Sequence, residues 1–208
     1  MTEADTSSNY KTTFLNQLRS ATSASHKQLE ELDISKSILK DDIQLIDYAY
    51  YLRCMLEITR FYEKTILPEI THLIPDATER QKSIAIENDL LWLKENNVTV
   101  NTPPEFKQPS VSNEAIAFGM SYVIEGSTLG GQFIIKHLQA KTPLTKTSGA
   151  TYFNGYGSET GKRWQTFLMY LTEFAALHKN EDEIIAGAIS GFDAIYKYFL
   201  NCQRNYEN

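Results

Sequence analysis

Four glycines, Gly119, Gly126, Gly130 and Gly131, stand inside one stretch that otherwise has the pattern of a good helix. Each interior glycine costs a helix about 1 kcal/mol relative to alanine, so the group needs a reason. At about 100° per residue, Gly119, Gly126 and Gly130 fall within a narrow arc and make a flat strip without side chains. Such a strip lets either a neighbouring helix or a planar ligand come close to the backbone. The GxxxG spacing is also that of membrane helix pairs, but Glu125, Gln132 and Lys136 in the same stretch exclude that use. A second constellation lies near the N-terminus, where His26 is flanked by Arg19 two turns earlier and Glu30 one turn later, all on one helix face. An imidazole can ligate a metal, and a carboxylate one turn away can orient its other ring nitrogen. A guanidinium about 10 Å along the axis can hold a carboxylate of the same ligand. A surface histidine beside an ion pair is the plainer reading of the same spacing.

The elements that would carry these groups are helical. Apolar residues recur at Phe14, Leu18, Ala21, Leu29 and Leu32, which predicts a first helix over Thr12–Leu32. A second helical segment opens at Asp41 and runs to Pro68, and a third spans roughly Thr78–Glu95. Pro103, Pro104 and Pro109 mark a loop that cannot be helical. Ser112 or Asn113 is the N-cap expected for the glycine-bearing helix, which then runs to about Leu138. A polar stretch from Ala140 to Ser158, with Pro143, Gly149, Gly155 and Gly157, is irregular, and two further helices follow over Glu159–His178 and Glu181–Gln203. No internal repeat, low-complexity run or alternating strand pattern is present. The expected class is all-α, with a flexible N-terminal segment over residues 1–11 and a single domain over 12–205.

Composition excludes several functions. The chain has 208 residues, 42% apolar and 22% charged, which is enough apolar material for one real core and too much for a disordered chain. A net charge of −6 argues against a nucleic-acid footprint. No run of apolar residues is long enough to span a bilayer. Met1–Tyr10 is polar and acidic, without the basic start and apolar run of a signal peptide, so a cytoplasmic protein without membrane or nucleic-acid partners is expected. Cys54 and Cys202 form no CxxC pair and read as buried thiols. No GxGxxG fingerprint is present, so electrons for any redox chemistry must come from a partner.

Three segments together resemble bacterial haem oxygenases, in this order and at this spacing: LRSATSASHKQLEELD (Leu18–Asp33), YVIEGSTLGGQFIIKHL (Tyr122–Leu138) and YFNGYGSETGKRWQTFL (Tyr152–Leu168). The likeness covers about residues 12–203. It implies a helical bundle in which haem lies between a proximal helix carrying the axial histidine and a kinked, glycine-rich distal helix. The resemblance makes His26 the iron ligand, Glu30 its orienting carboxylate and Arg19 a propionate contact, with Thr22 on the same helix. The distance of about 10 Å between His26 and Arg19 also matches that from haem iron to propionate edge. Gly126, Gly130 and Gly131 correspond to the distal strip, where absent side chains leave room for O₂. Tyr122 and Phe118, one and two turns earlier, would line the pocket, and Lys162 and Arg163 would meet the second propionate. In animal members an aspartate follows the first glycine of the distal motif, and Ser127 stands in that place here. Glu125, about 100° from Gly126, should point elsewhere.

The implied activity is cleavage of haem, with O₂ and an external electron donor such as a ferredoxin or flavoprotein reductase, to biliverdin, CO and ferrous iron. Haem is then substrate and cofactor at once. Arg19, Lys162 and Arg163 would form a basic face for an acidic donor. The alternatives are a haem-binding or haem-trafficking protein without turnover, and a thiaminase-like or di-iron protein of similar architecture. Paired Glu-x-x-His ligand motifs of the di-iron class are absent. His72, His137 and His178 are expected to be solvated or at helix ends, and Trp92 and Trp164 to serve packing.

Overall fold

Helix-period patterning in the sequence becomes helix almost everywhere. The structure, a computed structural model, describes residues 3–206, with side chains described for 9–205. Among these residues nine α-helices follow in order: α1 (Glu3–Glu30), α2 (Asp33–Ser37), α3 (Leu45–Phe61), α4 (Leu67–Ile70), α5 (Ser83–Glu95), α6 (Glu114–Lys141), α7 (Thr151–Asn154), α8 (Thr160–His178) and α9 (Glu181–Tyr206). The only β-like pairings among the described residues are isolated bridges of Thr145 with Ser148 and Gly149. The all-α class read from the sequence therefore holds.

Several boundaries differ from the sequence reading: α3 starts at Leu45 and α5 at Ser83, the short α2 and α7 were not expected, and two further differences have clear physical reasons. Helix α1 begins at Glu3, upstream of the first legible apolar period, and the Tyr10 hydroxyl donates to Glu181 of α9. Residues 3–11 of the segment expected to be flexible are thus helical, while Met1 and Thr2 lie outside the described residues. The second predicted helix breaks at Tyr62–Ile66 into a wider π-helical turn, in which the Leu67 N–H reaches the Tyr62 carbonyl. Pro68 follows directly, has no N–H to give and crowds the preceding turn, so a widened ladder accommodates it.

Packing is organised around α6 and α9. Asn113 caps α6 as expected, its side chain accepting from the Ile116 N–H at 2.9 Å. At Gly119 the α9 backbone comes so near that a Cβ would stand 2.0 Å from the Ile184 carbonyl oxygen. Gly187 of α9 returns the contact, a Cβ there falling 2.4 Å from the Ile116 carbonyl oxygen. The first glycine of the strip therefore serves helix packing, because neither backbone can retreat without opening the core. Phe14 and Leu18 of α1, Phe118 of α6, Phe167 of α8 and Phe199 of α9 are fully buried in the core.

This geometry yields a stability prediction. Gly119→Ala must displace the α9 backbone and should destabilise by about 1–3 kcal/mol, several degrees in Tm. Gly161→Ala, where nothing lies within 4 Å, should be neutral or stabilising. Thermal melts followed by circular dichroism separate the two.

Candidate active site

The C-terminal half of the glycine strip faces a cleft of ≈ 390 Å³ between α1 on one side and α6 on the other, with α9 between them. Arg19, His26, Leu29 and Glu30 come from α1, Gly126, Ser127, Gly130 and Gly131 from α6, and Phe192, Ile195 and Phe199 from α9. The His26 side chain is 60% exposed, so its ring is free to take a further ligand. Its Nδ1 lies 3.3 Å from Glu30 Oε2, and Phe192 packs edge-on against it at 5.8 Å between centroids. With Nδ1–H donated to the carboxylate, Nε2 keeps the lone pair that a metal needs.

Across the cleft the glycines differ from one another. A Cβ on Gly130 would meet nothing within 4 Å, so this position opens on free space. One on Gly126 would touch the Trp164 ring at 3.5 Å, and one on Gly131 would press on the Phe153 carbonyl oxygen at 3.1 Å. Ser127 is exposed to the cleft, its hydroxyl donating to the Ile124 carbonyl at 2.7 Å. Burial pushes the neighbouring Tyr152 hydroxyl up, against the opposing pull of Thr59 and Ser127.

The remaining expected site residues separate into two groups. Tyr122 lines the cleft, its ring 5.3 Å from that of Trp164. Burial pushes its hydroxyl up, while Arg19 and Thr22 on α1 work against that shift. Thr22 is buried, its hydroxyl donating to the Leu18 carbonyl at 2.8 Å, so it braces Tyr122 and does not line the cleft. Phe118 is a core residue, fully buried with its ring 4.8 Å from Phe174 and 6.2 Å from Phe167, because its turn faces α8. Lys162 is 80% exposed beside Glu159 and does not line the cleft. Arg163 is held by Asp76 at 2.5 Å and by Glu79, which leaves its guanidinium no free edge for a ligand carboxylate. The basic face expected from Arg19, Lys162 and Arg163 is accordingly not assembled. His72 pairs with Glu114, His137 meets the Lys40 carbonyl and His178 packs on Phe174, all away from the cleft.

Sequence reasoning missed a buried polar cluster behind the strip. Glu125 is fully buried and receives Arg80 Nη1 at 2.6 Å, Lys82 Nζ at 2.8 Å and the Tyr156 hydroxyl at 2.9 Å. Arg80 also forks onto Asp76, with both contacts at 2.9 Å. Lys82 lines the cleft, as does Trp164, which was expected only to pack. The one available signal was a carboxylate set among Val123, Ile124 and Gly126, where a solvated residue would be out of place.

An exposed histidine on one wall and an open glycine position on the other leave, in this all-α domain, a cleft with room for a flat ligand between two helices. The model of the heme oxygenase family matches residues 12–201, and the chain belongs to that family. It is 26% identical over 156 residues to a heme oxygenase of Xanthomonas campestris pv. campestris, covering 74% of this chain and 87% of that protein. Its fold is similar to that of the NO- and CO-bound heme oxygenase of Neisseria meningitidis, with TM-score 0.69 and 24% identity over 90% of this chain and 89% of the other. The same holds for a heme oxygenase of the cyanobacterium Synechocystis solved in complex with heme, with TM-score 0.68 and 18% identity over 92% of this chain and 93% of the other.

The difference between neighbouring glycines is testable on the protein alone. Gly130→Val should leave stability within about 1 kcal/mol, since valine is the better helix former and the space is open. Gly131→Val should destabilise by about 1–3 kcal/mol by forcing α7 outward. Equal loss in both melts would show that Gly130 is a packing position too.

Proposed function

We propose that this chain is a working haem oxygenase that binds haem in the cleft between α1 and α6. With O₂ and electrons from a separate donor it opens the macrocycle to biliverdin, CO and ferrous iron. The observation that carries the reading is the pairing of a Glu30-oriented imidazole on one wall with the open backbone at Gly130 on the other. The residues present fit the group. His26 supplies a nitrogen donor, the floor at Phe192, Ile195 and Phe199 is apolar, and the position a Cβ would fill at Gly130 is clear.

When bound, haem supplies the iron at which O₂ is reduced and is itself the molecule consumed. The chain's own residues do the rest. His26 anchors the iron through Nε2, and Glu30 keeps the ring in the one tautomer and orientation that allow it. Arg19, about 10 Å along α1, holds a propionate and so sets the rotation of the plate in the cleft. The α6 backbone at Gly126, Gly130 and Gly131 would form the other wall against a bound plate, and the open position at Gly130 would leave room there for O₂. Ser127 presents a hydroxyl toward that face, where it can order water. A ferredoxin or flavoprotein reductase fits as donor, approaching from the α1 side of the cleft, where Arg19 is exposed. The working unit is the domain over residues 12–205, acting in the cytoplasm.

Haem titration followed by reduction in air, with chromatography of the products, tests the reading. Loss of the Soret band with appearance of biliverdin is expected, whereas a stable reduced haem spectrum would identify a binding or trafficking protein. His26→Ala should weaken the complex and remove turnover, while Ala at His72, His137 and His178 should leave the spectrum intact. Arg19→Glu should lose roughly ten- to hundredfold in haem affinity, the worth of a charge-assisted hydrogen bond of about 1.5–3 kcal/mol. Gly130→Val should stay folded, bind haem and make no biliverdin.

A further inference from the structure

One charged side chain on the α6 side of the cleft is not explained by gripping the plate. A lysine ordinarily extends its stem so that the ammonium reaches water. Lys82 instead has a side chain only 8% exposed, and its Nζ makes three contacts at 2.8 Å, to Glu125 Oε1, the Tyr156 hydroxyl and the Arg80 carbonyl. Its backbone is fixed as well, because the Glu63 carboxylate caps the start of α5 by accepting from the Lys82 and Ser83 N–H groups. Lys82 shares Glu125 with Arg80, which pairs with that carboxylate at 2.6 Å and also with Asp76.

The cluster is polarised. Arg80, Lys82 and Arg163 balance Glu125, Asp76 and Glu79, so it carries no net charge. Of these six groups Lys82 alone lines the cleft, while the Asp76 and Glu79 side chains are 20% and 62% exposed. Lys82 therefore stands at the cleft end of the cluster, while Asp76, Glu79 and Arg163, two carboxylates against one guanidinium, stand at the solvent end. Burial pushes the ammonium down from the ordinary lysine range, and the Glu125 carboxylate beside it pulls the other way. The groups around Lys82 are Glu125 from α6, Tyr62 and Glu63 from the π turn, Arg80 from its own segment and Tyr156 from the turn before α8. Arg19, His26 and Glu30 stand on the α1 wall.

We propose that Lys82 is a positioning residue whose fixed cation biases the strip side of the cleft toward anionic ligands of the haem iron. It acts through its field. The inference rests on haem occupying the cleft.

The test uses the ferric haem complex of the full chain and reads three quantities by absorbance. These are the pH midpoint of the acid-to-alkaline spectral transition, azide affinity, and, after reduction, CO affinity. A cation stabilises bound hydroxide and azide but not neutral CO. Lys82→Met should therefore raise the midpoint by about one unit, weaken azide about tenfold and leave CO unchanged. Lys82→Arg should restore most of both shifts. Glu125→Gln removes an anion and should move the midpoint and azide affinity in the opposite direction. If Lys82→Met does not fold, Lys82→Gln, which keeps a hydrogen-bonding head, is read in the same way. A folded, haem-bound Lys82 variant with unaltered midpoint and azide affinity overturns the proposal, as does equal weakening of azide and CO, which marks a structural role. A wild-type chain that gives no haem spectrum overturns the haem reading, and this inference with it.

Discussion

Glu125 places a carboxylate where its side chain has no exposed surface, and much of the architecture around the cleft answers that constraint. Removing an ion from water costs several kcal/mol even after the protein relaxes, and only close, geometrically good partners offset it. Arg80, Lys82 and Tyr156 provide them, and they come from the segment after α4 and the turn before α8. Burial, and then the Glu125 charge, push the Tyr156 hydroxyl up, so it stays protonated and remains a donor. Arg163 extends the same cluster from α8 through Asp76. The segment between α4 and α5 and the turn before α8 are thereby fixed relative to α6. Removal of any one partner would leave the others as uncompensated buried charge, so the cluster is held as a unit.

Two further carboxylates work at helix starts. Glu63, on the π turn imposed by Pro68, caps α5 and so sets where Lys82 stands. Asp89 in the middle of α5 accepts from the Thr151 and Tyr152 N–H groups at 2.8 Å each, capping the short α7. That cap places Phe153 under Gly131 and Tyr152 beside Ser127. Burial raises the Asp89 carboxyl above its ordinary range, and the hydrogen bonds from Thr151 and Tyr152 counter that shift. A four-residue helix has little stability of its own, so its position depends on the cap and on the aromatic contacts of Phe153 with Tyr48 and Tyr51.

The glycine strip of α6 meets two different demands along its length. At Gly119 it admits the α9 backbone, and at Gly130 it opens on free space, although both residues lie on one narrow arc. α9 crosses tightly near Gly187 and then, from Phe192 onward, contributes the apolar floor of the cleft. The same absence of side chains thus serves packing at one end and leaves the cleft wall open at the other. The exposed Ser127 lines the cleft, and the buried Glu125 cluster lies behind the strip.

Local chemistry made much of this molecule legible in the sequence. Periodicity, the Asn113 cap and the proline breaks defined the long helices, and the spacing of Arg19, His26 and Glu30 placed them on one face because helix geometry is local. The glycine group was visible for the same reason. What the sequence could not show is which neighbour each face meets. Phe118 has the register of a pocket residue yet packs on α8, Arg163 has the type of a propionate contact yet is taken by Asp76, and Glu125 has the type of a surface residue yet is the centre of a buried cluster. Those outcomes depend on partners more than 40 positions away in the chain, such as Arg80 and Lys82 for Glu125. Side-chain type states what a residue can bind, but only the packing of helices decides which partner comes within 3 Å and whether water is left to compete.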